Sequence, residues 1–349
     1  MSQSDAKLTV AILGATGYVG AELIRLLAAH PNVELTCVTG RSAVGKRVDS
    51  VWPALRHIGD LTFSDATALE LAKSVDILFL ALPHGASMDA VASLFDDDGQ
   101  PIGKAHVIDM SGDFRLDDGD VYAKHYKKMH GSPELLSKFT YGLTEWNGSR
   151  VSEASFVANP GCFATAIGLA LAPLADKSLL PDNVTVFAAT GSTGSGHKPK
   201  QGTHHPERAT NFKLYKILKH QHVPEILGLL ESLGQSTRLS FIPASAPMTH
   251  GIFATCHMHT DQPALLAQAI RDAYERAHFV RVFDGSPQIN HVVGSNYVDI
   301  GLTEGDGELV VACAIDNMVK GAGGQAIQNM NLMMGFEPNA GLGALPSLP

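Results

Sequence analysis

The chain has 349 residues, long for one domain and comfortable for two. Hydrophobic residues make up 45% and charged residues 17%, the balance of a globular enzyme and not of a disordered chain. With 26 basic against 35 acidic residues the formal charge is −9, which gives no global electrostatic reason to bind nucleic acid. No apolar run reaches the roughly 18 residues of a membrane span. The opening stretch, MSQSDAKLTVAILGATG, lacks the basic start, apolar core and small-residue cleavage site of a signal peptide. A soluble, cytoplasmic protein is expected. Cys37, Cys162, Cys256 and Cys313 are far apart and form no CxxC pair, so reduced thiols are expected rather than a zinc knuckle or redox dithiol.

Residues 8–13 (LTVAIL) read as a strand buried on both faces. A glycine-rich turn follows, then a helical pattern over 21–30 that Pro31-Asn32 ends. Residues 33–40, 75–83 and 105–115 read as further strands, and the strand–helix–strand order implies a parallel sheet. After about residue 157 the character changes. VTVFAATGSTGSG (184–196) is a strand meeting a glycine/serine loop, and 197–226 is basic and rich in histidine. Strands at 238–248, 251–260 and 309–316 around a helix at 265–278 predict a mixed or antiparallel sheet. Residues 318–336 read as a helix with apolar positions on one side, and 338–349 as an exposed end.

Gly14-Ala15-Thr16-Gly17-Tyr18-Val19-Gly20 is a GxxGxxG turn between a predicted strand and a predicted helix. Glycines there admit a pyrophosphate, and a helix N-terminus offers N–H groups and a favourable dipole. The next strand ends in Thr39-Gly40-Arg41-Ser42. An NAD enzyme places an acid there, whereas Arg41 beside Ser42 suits a 2′-phosphate, so NADP is the expected cofactor unless Arg41 is a solvated loop charge.

Asn159-Pro160-Gly161-Cys162 precedes an apolar helical run. A cysteine at a helix start is biased toward thiolate, so Cys162 is a candidate nucleophile. The same pattern fits a small buried cysteine at the head of a packed helix. A nucleophile needs a proton-transfer partner, and His220 and His222, near Tyr215, Lys216 and Lys219, are the candidates. No histidine pair has HExxH spacing and no cysteine is close to them in sequence, so no catalytic metal is expected. Ser111 and Arg115 follow a predicted strand end, where Arg115 would clamp a carboxylate or pair with a neighbouring aspartate. Ser192 and Gly194 lie in a loop suited to a phosphate or the nicotinamide, or serving as a hinge.

These segments, with ALPHG, DMSGDFRL, ANPGCFATA, GSTGSG, HQHVPEI and the closing DNMVKGAGGQAIQNMNLM, resemble the semialdehyde dehydrogenase superfamily, and within it the N-acetyl-γ-glutamyl-phosphate reductases of arginine biosynthesis. The resemblance spans nearly the whole chain. It implies an α/β protein: a Rossmann-type NADP domain over 1–160 completed by 318–349, and an α+β catalytic and oligomerisation domain over 161–317, similar to glyceraldehyde-3-phosphate dehydrogenase. It further implies NADPH-dependent reduction of a small acyl phosphate, with release of phosphate, through a Cys162 thioester. His220 would be the acid/base, with His222 the competing assignment. Arg115 and Glu225 would bind substrate, with Ser111, Asn159 and Tyr215 beside them, and Pro83, Gly85 and Asn317 would bind cofactor. A homodimer or homotetramer is expected.

Residues 197–219 depart from the simplest family members: nine basic or histidine side chains, among them Arg208 and Lys216, face a single acid, Glu207. They are expected to meet a polyanionic substrate. An N-succinyl or carrier-linked glutamyl or aminoadipyl phosphate, or aspartate semialdehyde, therefore stands as an alternative substrate. A non-catalytic NADP-sensing regulator is the alternative of another class.

Overall fold

The computed structural model describes residues 7–346. The chain divides into two compact units. The first comprises the chain up to Tyr122, Met129–Pro160 and Gly323–Leu342; the second comprises Ala123–Lys128, Gly161–Ala322 and the end from Gly343.

The first unit is built on a seven-stranded sheet: β1 (Leu8–Leu13), β2 (Val33–Thr39), β3 (Phe63–Ser64), β4 (Ile77–Leu80), β5 (His106–Asp109), β6 (Thr140–Tyr141) and β7 (Phe156–Ala158). Their order is β3-β2-β1-β4-β5-β7-β6 and every pairing is parallel. Val10–Ile12 and all of β4 are fully buried, which is why these segments read as continuous apolar runs. The chain reverses its direction of winding between β1 and β4. The carboxyl ends of strands at such a point form the ligand crevice of open α/β sheets.

The Gly324–Met333 helix belongs to this unit and corrects the one-sided pattern expected for it. It is buried on nearly all sides, polar residues included. Gln325 donates to Gly142 O and Thr144 Oγ1, both at 2.9 Å, and Asn329 Nδ2 donates to Asn159 Oδ1 at 3.0 Å. These partners satisfy the buried amide nitrogens of Gln325 and Asn329. The chain end is also tied down further than expected. Asn331 Nδ2 donates to Pro338 O and Ala340 O, and Leu342 is buried. The last three residues of the expected exposed end lie outside the described residues.

The second unit holds a mixed seven-stranded sheet: β8 (Asn183–Thr190), β9 (Lys213–Leu214), β10 (Arg238–Ser245), β11 (Ile252–His259), β12 (Val280–Asp284), β13 (Val298–Gly305) and β14 (Glu308–Ile315), in the order β12-β13-β14-β11-β8-β10-β9. In β8, Val184, Val186 and Ala188 are buried while Asn183, Thr185 and Phe187 are exposed, the alternation of a sheet covered on one face. The Cys162–Asp176 helix packs on the covered face against β11 and β14. Every residue from Phe163 to Ala175 in that helix is buried.

Candidate active site

In the first unit the glycine turn has the shape a dinucleotide requires. Gly14 has φ +93°, and a Cβ there would lie 2.8 Å from Ala81 O, so backbone conformation and close packing both demand glycine. A Cβ at Gly20 would lie 2.5 Å from Ala15 Cα, so the Tyr18–Ala28 helix can sit against the turn. At Gly17, the N-cap, a Cβ would meet nothing within 4 Å. No side chain caps the helix there, and its first turn carries no acid. Thr16, Tyr18 and Val19 complete this open, electropositive turn. Arg41 and Ser42 are exposed just past the end of β2. These residues fit a nicotinamide dinucleotide.

The turns after β4 and β5 lock together. Gly85 N–H donates to both carboxylate oxygens of Asp113, at 2.9 and 2.8 Å, and Gly112 N–H donates to His84 Nδ1 at 2.7 Å. Ser111 Oγ and Ser87 Oγ donate to the fully buried Asp109, whose carboxyl is raised to about 6 by burial. Ser111 is therefore a buried support for Asp109, and Gly85 is fixed by Asp113. Pro83 lies exposed beside them. Arg115 donates from Nε to Asn159 O at 2.7 Å and from Nη2 to Met110 O at 2.9 Å. Through these bonds the Arg115 guanidinium braces the backbone at Asn159, two residues before Gly161. Asn159 is buried and extends that brace, its N–H donating to Asp109 O at 2.8 Å.

In the second unit Cys162 is the first residue of its helix. The preceding Gly161 N–H donates to Oε1 of buried Glu225 at 2.7 Å. Behind Cys162 lies Gly321, in the π-helical turn Val319–Gly323; a Cβ at Gly321 would stand 2.9 Å from Cys162 Cβ. Phe163 packs edge-on against both His220 and His222, with ring centroids at 5.3 and 6.2 Å. Both histidines are buried. His220 Nδ1 accepts the His222 N–H at 3.2 Å, which leaves the proton of a neutral ring on Nε2. Burial, reinforced by Lys216, lowers the His220 pKa to about 3, so the ring is neutral at physiological pH. Tyr215 approaches His220 at 5.9 Å. Its hydroxyl is pushed above its usual pKa by burial and by the negative charge of Cys162.

Of the remaining expected site residues, Ser192 and Arg208 line a cavity of about 610 Å³ in the same unit, together with His205 and His250 among others. Arg208 is buried, bonded to Ser245 Oγ and Thr190 O. It is thus not part of a solvated basic face. Lys216 is exposed and donates to Gln221 Oε1 at 2.6 Å. Asn317 Oδ1 accepts the Gly251 N–H at 2.7 Å and its Nδ2 donates to Thr193 Oγ1 at 3.0 Å, fixing the loop that carries Ser192 and Gly194. Its neighbour Asp316, which the sequence reading passed over, accepts N–H bonds from Gly294 and Met318, both at 2.7 Å. The signal for Asp316 was available: an acid just ahead of a helical start.

Two family models match the chain: a semialdehyde dehydrogenase NAD binding domain over residues 9–154 and a semialdehyde dehydrogenase dimerisation domain over residues 162–317. The chain is 43% identical to the N-acetyl-gamma-glutamyl-phosphate reductase of Methanopyrus kandleri, over 96% of this chain and 98% of that one. It is 40% identical to the enzyme of the same name from Shouchella clausii, over 98% and 100%. Among solved structures it is similar to aspartate semialdehyde dehydrogenase with NADP from Candida albicans, with a TM-score of 0.71 at 16% identity over 94% of this chain and 98% of that one. Aspartate semialdehyde dehydrogenase II from Vibrio cholerae gives 0.68 at 16% identity, over 94% and 99%. At that identity the structural likeness speaks for the fold alone.

Proposed function

The chain belongs to the N-acetyl-gamma-glutamyl-phosphate reductases of the semialdehyde dehydrogenase family, and we propose that it reduces N-acetyl-γ-glutamyl phosphate to N-acetylglutamate 5-semialdehyde with NADPH, in arginine biosynthesis. The observation that carries the chemistry is Cys162 at the open start of a 15-residue buried helix, one residue before a phenylalanine that packs on a neutral histidine.

The helix dipole favours the thiolate of Cys162. Its Sγ attacks the acyl carbon, the C–O bond to phosphate breaks, and phosphate leaves with the electron pair. The acyl group is then held as a thioester on Sγ, which splits one hard reduction into two easier steps. When bound, NADPH supplies the hydride. The tetrahedral oxyanion collapses, re-forming C=O and expelling Sγ as thiolate. The cycle returns Cys162 to its starting state. His220, whose Nδ1 accepts the His222 N–H, carries its proton on Nε2 and serves as a hydrogen-bond donor to substrate oxygen, and its lowered pKa keeps the ring neutral. The proton consumed overall ends on the released phosphate.

Arg41, with no acid beside it at the end of β2, supports NADPH over NADH. Arg208 and the Ser192 loop support binding of the acyl phosphate's anionic groups in the cavity they line. Arg115 and Glu225 act as positioning residues for the chain on either side of Gly161. The working form is a cytoplasmic homodimer or homotetramer, supported by the dimerisation-domain match.

A panel assay in the reverse direction tests the substrate. N-acetylglutamate semialdehyde, its N-succinyl analogue and aspartate semialdehyde are each supplied with phosphate and NADP⁺. The N-acetyl compound should give the highest kcat/KM; a preference for either rival overturns this reading.

A further inference from the structure

The uncovered face of the second sheet carries a side-chain cluster that the reductase chemistry does not use. β11 places His257 and His259 two residues apart, so both imidazoles project to the same face, while Cys256 and Met258 between and before them point into the core. On the adjacent β14, Glu308 stands directly opposite His259 in the antiparallel register. His257 Nε2 lies 2.6 Å from Glu308 Oε2, and the two imidazole centroids are 4.9 Å apart. One ligand atom from each of the three residues can be chosen so that all lie within 4.8 Å of one another.

We propose that His257, His259 and Glu308 form a binding site for a divalent transition-metal ion, with zinc as the matching ion, on the uncovered face of this sheet. Two imidazole nitrogens and one carboxylate oxygen are a common zinc donor set. Zinc bonds of about 2.0–2.1 Å place tetrahedral ligands roughly 3.3 Å apart. The 2.6 Å between His257 and Glu308 and the 4.8 Å limit on the three ligand atoms lie on either side of that value, so the side chains stand within reach of a shared ion. The backbone is already fixed, because β11 is hydrogen-bonded to β14 along its length and to β8 as far as His257. Imidazole nitrogens select against magnesium and calcium, which prefer all-oxygen shells. Cys256 takes no part, since it is fully buried on the opposite face. Three protein ligands leave a fourth position for water or for a donor from another molecule.

The test is calorimetric titration of zinc chloride into the full chain carrying Cys162→Ser, so that the catalytic thiol does not compete. The parent is compared with His259→Asn and Glu308→Gln, both at exposed positions. One equivalent of zinc should bind the parent, and each substitution should weaken that binding at least tenfold. Cobalt(II) bound in place of zinc should show ligand-field bands without a thiolate charge-transfer band. In the chain that keeps Cys162, both substitutions should leave reductase activity unchanged, which also reports that the variants fold. Absence of a one-equivalent site in the parent, affinity in both variants equal to the parent's, or a thiolate band overturns the proposal.

Discussion

The N–H of Gly161 donates to Oε1 of Glu225 at 2.7 Å, so a buried carboxylate anchors the residue immediately before Cys162. This bond makes Glu225 a positioning residue, and it predicts an order among substitutions. Glu225→Gln keeps an amide oxygen in place and should retain most of kcat. Glu225→Ala leaves a buried N–H without that acceptor, at a cost of about 1–3 kcal/mol in stability. It should also lower kcat about tenfold or more, because Cys162 loses its fixed approach. Steady-state kinetics with urea melts read both effects. Equal kcat in the two variants would remove Glu225 from the account.

Gly321 lies against Cys162. A methyl group at Gly321 would stand 2.9 Å from Cys162 Cβ, and one of the two must move. Gly321→Ala should therefore lower kcat by about tenfold to a hundredfold, since displacements near 1 Å can cost that much. Dinucleotide affinity, measured by fluorescence titration, should change little. Wild-type kcat in this variant would show that the π-helical turn yields at no cost to the thiolate.

His220 gives a pH signature in stability. Its folded pKa, about 3, lies below the unfolded value of about 6.5. Between those values the unfolded chain binds the extra proton, so stability falls as pH drops through that window and the effect is absent above it. The limiting slope is about 1.4 kcal/mol per pH unit. His220→Gln should flatten the acid limb of stability between about pH 6.5 and 4.5 in urea titrations. It should also lower kcat at pH 7, where the parent ring is neutral. Parallel acid limbs in the two proteins would mean that His220 is not held neutral by its surroundings.

Cofactor choice rests on Arg41. Arg41→Ala should raise KM for NADPH by roughly tenfold to a hundredfold, the worth of a charge-assisted hydrogen bond of about 1.5–3 kcal/mol. KM for NADH should move far less. Equal changes for both cofactors would assign Arg41 to loop support only.

Much of this arrangement is legible in the sequence. The run LTVAIL announces β1 because burial on both faces leaves no polar alternation to obscure it. Cys162 was legible because a proline-glycine turn meets an apolar helical run. β12 and β13 were not. They carry Arg281 and Asp299 within the strands, and that pair satisfies itself by a 2.6 Å bond that no periodicity reveals. The Val223–Ser232 helix was hidden behind a basic tract, although Pro224 in its first turn was a usable start signal. The supports of Cys162 are not legible for a deeper reason. Glu225 lies 64 residues from Gly161 in the chain, and its role exists only once tertiary packing brings it there. Arg115 illustrates the same limit: its type suits a carboxylate, yet its described bonds go to backbone carbonyls of Asn159 and Met110.

The central claim is the thioester on Cys162, and trapping it is the most direct measurement. The chain is mixed with N-acetylglutamate semialdehyde and NADP⁺ in the absence of phosphate, quenched in acid and analysed by intact mass spectrometry and peptide mapping. The account predicts a burst of NADPH equal to the enzyme concentration. It also predicts one N-acetylglutamyl adduct per chain, on the peptide containing Cys162, removed by hydroxylamine and absent from Cys162→Ala. NADPH formation with no adduct, or with the adduct on another residue, would contradict it.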